Sequence, residues 1–542
     1  MKRIQLLDCT LRDGAYVVEG KFGERSIAGI IKRLQDVKVD IIECGWLKDI
    51  PHEVGTTYYY TPDDLKQYMQ MKKSKYSTYV AMIDYNRYDV NRLPVCDGET
   101  IDAIRIVFPK DKIEEGLSLV EPIRKKGYKV FLQAANTVGY SDWELLSLVE
   151  AVNEVDVEAL SIVDTYGTMY DFDLQRILFL LNNNLRKDIS IGFHSHNNQQ
   201  LSYALSMQFV DDIVALTGRK CIVDSSLCGM GRGAGNTPTE LLAGYLNKQY
   251  YADYDINTLM DAIDIYMSHF LEKYRWGYSI PYMIAGTYEC HVNNVAYLTK
   301  THRTKSKDMK IIFEMLTADE RHKYDYDNLE KVYAEYQNRN ADDMEVKDLL
   351  IKQMSGKNLV IILPGKSSET YKEKIKSYIR ESGAIVIGVN ASVTDYEYDY
   401  LFFSNGIKYE FAKDTNTVQY KEAIKIITSN IKDCGNEKEY IINYNNLQKR
   451  KWKYYDNSVI MFLRLMSVIL PKTIAIAGFD GYADNNSEKY AEGILEPTIS
   501  QEEMNVMQEE IADMFADYVK INGEKIKIEF LTPSIFEELN KF

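Results

Sequence analysis

The chain has 542 residues, too many for one ordinary hydrophobic core, so two or three domains are expected. An apolar content of 45% excludes a disordered polymer, and a net charge of −15 without a long basic tract argues against nucleic acid, whose phosphates need clustered Lys and Arg. No apolar run approaches the ~20 residues that span a bilayer, the N-terminal stretch lacks a signal-peptide core, and seven scattered cysteines without CxxC spacing fit reduced thiols, so a cytoplasmic protein is expected.

In chain order, the first 230 residues alternate short apolar runs with helical patterns. Eight runs have strand length and β-branched or aromatic content: 4–9, 41–47, 78–83, 103–108, 129–135, 159–164, 189–194 and 221–227. Between the first two, Ile27, Ile30, Ile31, Leu34 and Val37 fall at helical spacing and give one apolar face. Strands alternating with such helices imply a parallel sheet covered by helices. Eight repeats fit an N-terminal (β/α)8 TIM barrel, here 1–285, with a doubly wound open sheet as the alternative. Residues 286–356 read as a helical extension and connector, proline-free and dense in charge, whose alternating charges suit a solvated helix face. From 357 to 542 a second α/β pattern follows, with strands at 358–363, 384–389, 400–403, 439–444, 473–477 and 526–531. It reads as a Rossmann-like α/β domain.

Chemistry in such a barrel gathers at the C-terminal strand ends. The first strand ends in Thr10-Leu11-Arg12-Asp13-Gly14, the seventh in His194-Ser195-His196, and the eighth runs into Gly229-Met230-Gly231-Arg232-Gly233-Ala234-Gly235-Asn236. On a strand, His194 and His196 face the same side, about 7 Å apart along the chain, and can converge on one ion. Barrel closure makes strands one, seven and eight neighbours, so Asp13 is the candidate carboxylate. Mixed N/O ligands suit a divalent metal: Mn²⁺ first, with Mg²⁺, Co²⁺ or Zn²⁺ as alternatives.

This ordered set, over about residues 1–300, resembles the metal-dependent superfamily of hydroxymethylglutaryl-CoA lyase, 4-hydroxy-2-oxovalerate aldolase and the isopropylmalate and homocitrate synthases. The glycine-rich loop looks closest to the hydroxy-oxovalerate aldolases. The resemblance implies that Asp13, His194 and His196 bind the metal, with Asn236 as a further ligand. It implies that Arg12 holds an enolate oxygen and that Glu43 is an active-site acid. It also places Asp164 beside the substrate pocket; an ion pair orienting Arg12 or a histidine is the alternative role for Glu43 and Asp164. The aldolases carry a histidine base two residues beyond the glycine. This chain has Tyr16 there, which leaves Tyr16, if its pKa were lowered, or His291 as the proton carrier. The implied activity is an aldolase or lyase acting on a small 2-oxo acid or sugar-like hydroxy-oxo acid, in a homodimer. Alternatives are an acyl-CoA condensing synthase, or a non-catalytic barrel serving the C-terminal domain.

In that second domain, Gly365 and Ser367 lie in a strand–loop–helix turn that can present backbone N–H groups to a phosphate. With Asn390 after the next strand and Asp480 in Gly478-Phe479-Asp480-Gly481, the set resembles Rossmann-like domains of motility accessory factors and sialyltransferase-like proteins. That implies a bound nucleotide or nucleotide-sugar, and with it a role in surface-sugar biosynthesis. Asp480 as a helix cap or turn residue is the other reading.

Overall fold

The computed structural model describes residues 3–69, 73–302, 304–337, 341–431, 439–449, 451–454, 457–482, 489–496 and 501–540. The chain divides into two compact units, Met1–Tyr326 and Asp327–Phe542.

In the first unit eight parallel strands close on themselves: β1 (Ile4–Asp8), β2 (Ile41–Leu47), β3 (Thr78–Asp84), β4 (Ala103–Phe108), β5 (Lys129–Ala134), β6 (Ala159–Asp164), β7 (Ser190–Ser195) and β8 (Cys221–Ser225). β1 pairs along its length with β8 and at Leu7↔Ile41 with β2, which shuts the barrel and excludes the open sheet. A two-residue strand, Tyr58–Tyr59, adds to the end of β2 and was not expected from the sequence.

The helix Glu24–Val37 shows how the outer layer is held. It buries Ile27, Ile30, Ile31, Leu34 and Val37, each contributing about 1.5–3 kcal/mol on full burial, and stops where Lys38 turns left-handed at φ 64°. Strand residues of the opposite parity form a separate apolar plug of Leu7, Ile41, Val80, Ala103, Phe131, Ala159 and Ile222. By alternation these side chains fill the barrel interior, so the C-terminal mouth above them rests on a packed floor.

The helices Ile280–Thr287, Ser306–Met315 and Ala318–His322 belong to the first unit. The helix Met344–Met354 belongs to the second, where Leu350 and Met354 are fully buried in its core. The segment read as one connector is therefore divided between the two units.

The second unit carries a seven-stranded parallel sheet: β9 (Asn358–Ile362), β10 (Ile385–Val389), β11 (Tyr400–Phe403), β12 (Ile424–Thr428), β13 (Glu439–Ile442), β14 (Thr473–Ala477) and β15 (Lys527–Phe530). Its spatial order is β13-β12-β11-β10-β9-β14-β15, so the winding reverses between β9 and β14. Two cores cover its faces. Leu359, Ile361 and Ile474 pack with Ile460, Met466, Met514 and Phe515 on one side, and Val360, Ile362 and Ala475 pack with Ile375 and Tyr409 on the other. Strand β12 was missed in the sequence, where its run is short and carries Lys425. Among the described residues, no helix is long and apolar enough to cross a membrane.

Candidate active site

The mouth of the barrel holds a cavity of about 340 Å³ lined in part by Arg12, Asp13, Tyr16, His194, His196 and Arg232. Asp13, His194 and His196 are all buried and bring one ligand atom each to within 4.8 Å of one another. An ion held at about 2.1 Å from each atom in tetrahedral or octahedral geometry needs them about 3.0–3.4 Å apart, so the side chains would draw in by roughly 1–2 Å to close the set. The two imidazoles stand edge to face with centroids 5.1 Å apart. Neighbouring hydrogen bonding agrees with a cation. His196 Nδ1 and Asn236 Oδ1 are buried with no hydrogen-bond partner among the described residues, while Asn236 Nδ2 donates to Asp13 Oδ2 at 2.8 Å. Buried acceptors are rarely left without a partner, and a cation here would satisfy them. The donor set, two imidazoles, a carboxylate and an amide oxygen, fits a divalent ion.

Charge in the pocket is tightly balanced. Burial alone would raise the Asp13 carboxyl, but Arg12 and the two histidines hold it well below the usual carboxylate range. Burial pushes His196 down to about 3, against the pull of Asp13, so its ring is neutral and free to act as a ligand. Arg12 stays charged despite burial because Glu43 and Asp13 flank it; its Nε donates to Glu43 Oε2 at 2.8 Å and its Nη1 to Asp13.

Beneath this lies a layer of charge that sequence reasoning missed. Arg105 on β4 is 1% exposed and reaches Glu43 at 2.9 Å and Asp224 on β8 at 2.5 Å. Asp224 Oδ2 in turn stands 3.1 Å from His194 Nδ1, where it can orient the ring. A β-bulge shapes the neighbouring wall. The β2–β3 register shifts between Glu43 and Trp46, and Gly45 sits at φ 142°, where an added Cβ would meet Thr57 O at 2.4 Å. The extra residue turns both Glu43 and Trp46 toward Arg12, whose carbonyl accepts the indole N–H at 3.0 Å.

Glu43 touches Arg12 and Arg105 and does not line the cavity. Asp164 accepts the Thr168 and Met169 amides and the Ser195 hydroxyl, and burial raises it to about 7; Thr165, not Asp164, reaches the cavity. Tyr16 lines the cavity, edge-on to Trp46. Desolvation outweighs Arg232 and Arg12 and shifts its pKa up although 47% of the residue is exposed, so the lowered value that a base would need is not found. His291 lies outside the lining; its ring meets Arg232 and Tyr324, and burial with Arg232 pushes it down to about 2. The cavity also exposes Gln133, Asp84 and Arg87, none of which sequence reasoning singled out.

In the second unit a smaller cavity of about 110 Å³ opens at the β9/β14 reversal, lined by Gly365, Asp480 and Lys489 among others. Asp480 accepts the Ser367 amide at 2.8 Å and the Ser367 hydroxyl, so it clasps the loop as a cap. Gly365 is needed because a Cβ there would meet Gly478 O at 2.4 Å. Asn390 accepts the Ser404 amide at 3.1 Å and donates to Ser458, tying strand ends together.

Comparison with known proteins accords with the barrel's motifs. Residues 109–266 match the HMGL-like family model. The chain is 26% identical over 260 residues to an oxaloacetate decarboxylase of Mycobacterium tuberculosis, covering 47% of this chain and 74% of that one. It is 26% identical over 276 residues to a 4-hydroxy-2-oxovalerate aldolase of Pelotomaculum thermopropionicum, covering 48% and 76%. A solved structure, the carboxyl transferase domain of Rhizobium etli pyruvate carboxylase with pyruvate, is 13% identical, covers 65% of this chain and 64% of that one, and superposes with a TM-score of 0.47. The resemblance of the barrel to the aldolase and HMGL-like superfamily stands.

Proposed function

We propose that the barrel is a divalent-metal-dependent carbon–carbon lyase or aldolase acting on a small 2-oxo acid. The single observation that carries this is the convergence of Asp13, His194 and His196, with the unpartnered Asn236 Oδ1 beside them, on a cavity that Arg12 also lines. The names of the relatives, an oxaloacetate decarboxylase and a hydroxy-oxovalerate aldolase, support the reaction class.

Asp13, His194, His196 and Asn236 would hold the ion, which supplies Lewis-acid withdrawal of charge from a carbonyl oxygen. Arg12 presents a fixed guanidinium where enolate charge develops, and Glu43 keeps it from rotating away. No lysine Schiff base is required. Tyr16, a phenol at the wall, would give a proton to the carbon left after decarboxylation; in aldol cleavage a separate group must take the proton of the substrate's hydroxyl. Val163 and Met82 give the same cavity an apolar wall. In the second unit, the cavity at the strand reversal is where a nucleotide or nucleotide-sugar would bind if that unit serves sugar assembly.

Elemental analysis of purified protein beside His194→Ala/His196→Ala tests the barrel reading. We expect about one transition metal per chain in the wild type, or after Mn²⁺ addition, and none in the variant. The metal-loaded enzyme should then cleave or decarboxylate at least one member of a 2-oxo acid panel. A wild type that binds no added Mn²⁺ would overturn the proposal.

A further inference from the structure

We infer that the substrate carries a second carboxylate and that Arg232 is the specificity-determining group that pairs with it. This rests on the 2-oxo acid reading and narrows it to dianionic 2-oxo acids.

Arg12 is matched by Asp13 and Glu43, and Arg87 lies 3.5 Å from Asp84. Beneath them, Arg105 is matched by Glu43 and Asp224. Arg232 alone among the cleft's arginines has no carboxylate within ion-pairing distance among the described residues, although it lines the same cavity as the metal candidates.

Its position is nonetheless built. The Arg232 backbone N–H donates to Asp13 Oδ2 at 3.2 Å, which anchors the loop to the candidate metal ligand. The guanidinium stands over the Tyr16 ring, 4.9 Å from its centroid, and one terminal nitrogen meets the ring of His291. That imidazole is buried and neutral, so it orients the fork without cancelling its charge. Glycines on both sides allow the approach: a Cβ on Gly231 would sit 2.4 Å from Asp13 Oδ2, and Gly233 adopts φ 66°. A guanidinium held between the Tyr16 ring face and the His291 ring, with its other N–H groups uncommitted, suits one planar carboxylate.

Charge balance points the same way. The four arginines Arg12, Arg87, Arg105 and Arg232 are equalled in charge by Asp13, Glu43, Asp84 and Asp224, but Glu43 is shared between Arg12 and Arg105, and Arg232 has no acid beside it. A divalent ion would add two positive charges, of which a 2-oxo monoacid offsets one and a second carboxylate, at Arg232, the other. The cavity, at about 340 Å³, also falls in the range that encloses ligands larger than a three-carbon acid.

The test uses the full chain loaded with Mn²⁺ and two ligand pairs matched in carbon count: 2-oxoglutarate against 2-oxopentanoate, and oxaloacetate against 2-oxobutyrate. Affinity is read by calorimetry, and kcat/KM where a ligand turns over. The wild type should prefer the dicarboxylate of at least one pair by about tenfold to a hundredfold, the range of a charge-assisted hydrogen bond. Arg232→Gln should collapse that ratio to within about twofold, and Arg232→Lys should retain part of it. Metal content and melting temperature confirm that each variant is folded; should Arg232→Gln fail to fold, loss of part of the ratio in Arg232→Lys decides the matter. A wild type without preference, or variants that weaken both members of a pair equally, would overturn the inference while leaving the proposed function in place. Binding of no 2-oxo acid by metal-loaded enzyme would remove both.

Discussion

Replacing Arg105 with Met tests whether the charged layer under the site holds the barrel together. The substitution removes contacts of 2.9 Å to Glu43 and 2.5 Å to Asp224 in a region where all three side chains are 1% exposed or less. Glu43 keeps Arg12 at 2.8 Å, but Asp224 is left with only the neighbouring His194 ring. Breaking a buried pair so that one charge is stranded costs about 3–5 kcal/mol. The first unit spans 326 residues, and at about 2.1 cal/mol/K per residue its unfolding entropy is roughly 0.7 kcal/mol/K. The expected fall in Tm is therefore about 4–7 °C, measured in chelator so that metal linkage does not contribute. Adding Asp224→Asn removes the stranded charge and should recover part of that loss. Metal affinity should not recover, because His194 has lost its carboxylate partner, a change that typically weakens metal binding by about 10–100-fold. A single variant that melts within about 1 °C of the wild type would refute the reasoning, because the layer would then be solvated or rearranged rather than paired.

Two further outcomes follow from the same geometry. Gly231→Ala would place a methyl group 2.4 Å from both Asp13 Oδ2 and Asn236 Nδ2, so Mn²⁺ affinity should fall more than about tenfold in a titration while far-ultraviolet circular dichroism stays unchanged. Asp8 is fully buried, and burial raises it to about 6 from its ordinary value of 3.8. Between those values the folded protein binds more protons than the unfolded chain, so this group's contribution is full below about pH 4 and is lost as pH rises through 6. In Asp8→Asn, whose Oδ1 can still accept the Thr10 amide, the stability difference from wild type should move in the variant's favour by roughly 2.5 kcal/mol between pH 4 and 7 in chelator. A difference that stays flat across that range would show that Asp8 is not buried as described.

The sequence was most informative where spacing is local. All eight barrel strands were legible from apolar runs, because each is buried on both faces and needs no long-range information to be recognised. Arg12-Asp13 and His194-Ser195-His196 were legible because adjacent or alternating residues share a face once the strand is known. Trp46 was hidden by the bulge at Gly45, which breaks the period of two that would otherwise have set it on the opposite side from Glu43. The roles of Tyr16, His291 and Arg232 depend on contacts between residues up to 219 positions apart, and no local pattern encodes them.

Arg105 and Asp224 are the instructive omissions, because a physical signal for both was present. Each is a single charge inside a strand otherwise made of apolar or small residues, at the parity that faces the barrel interior. An arginine inside a closed barrel cannot stay unpaired, so its presence in β4 demands acids on other strands at the same height. β4 and β8 lie four strands apart in either direction around the wall, so Arg105 can meet Asp224 only through the interior. The pair is thus a strut across the barrel, and because Asp224 also faces His194, the strut ties the closure of the fold to the orientation of the metal ligands. Isolated charges in apolar strands of such a chain therefore mark the layer directly beneath its chemistry.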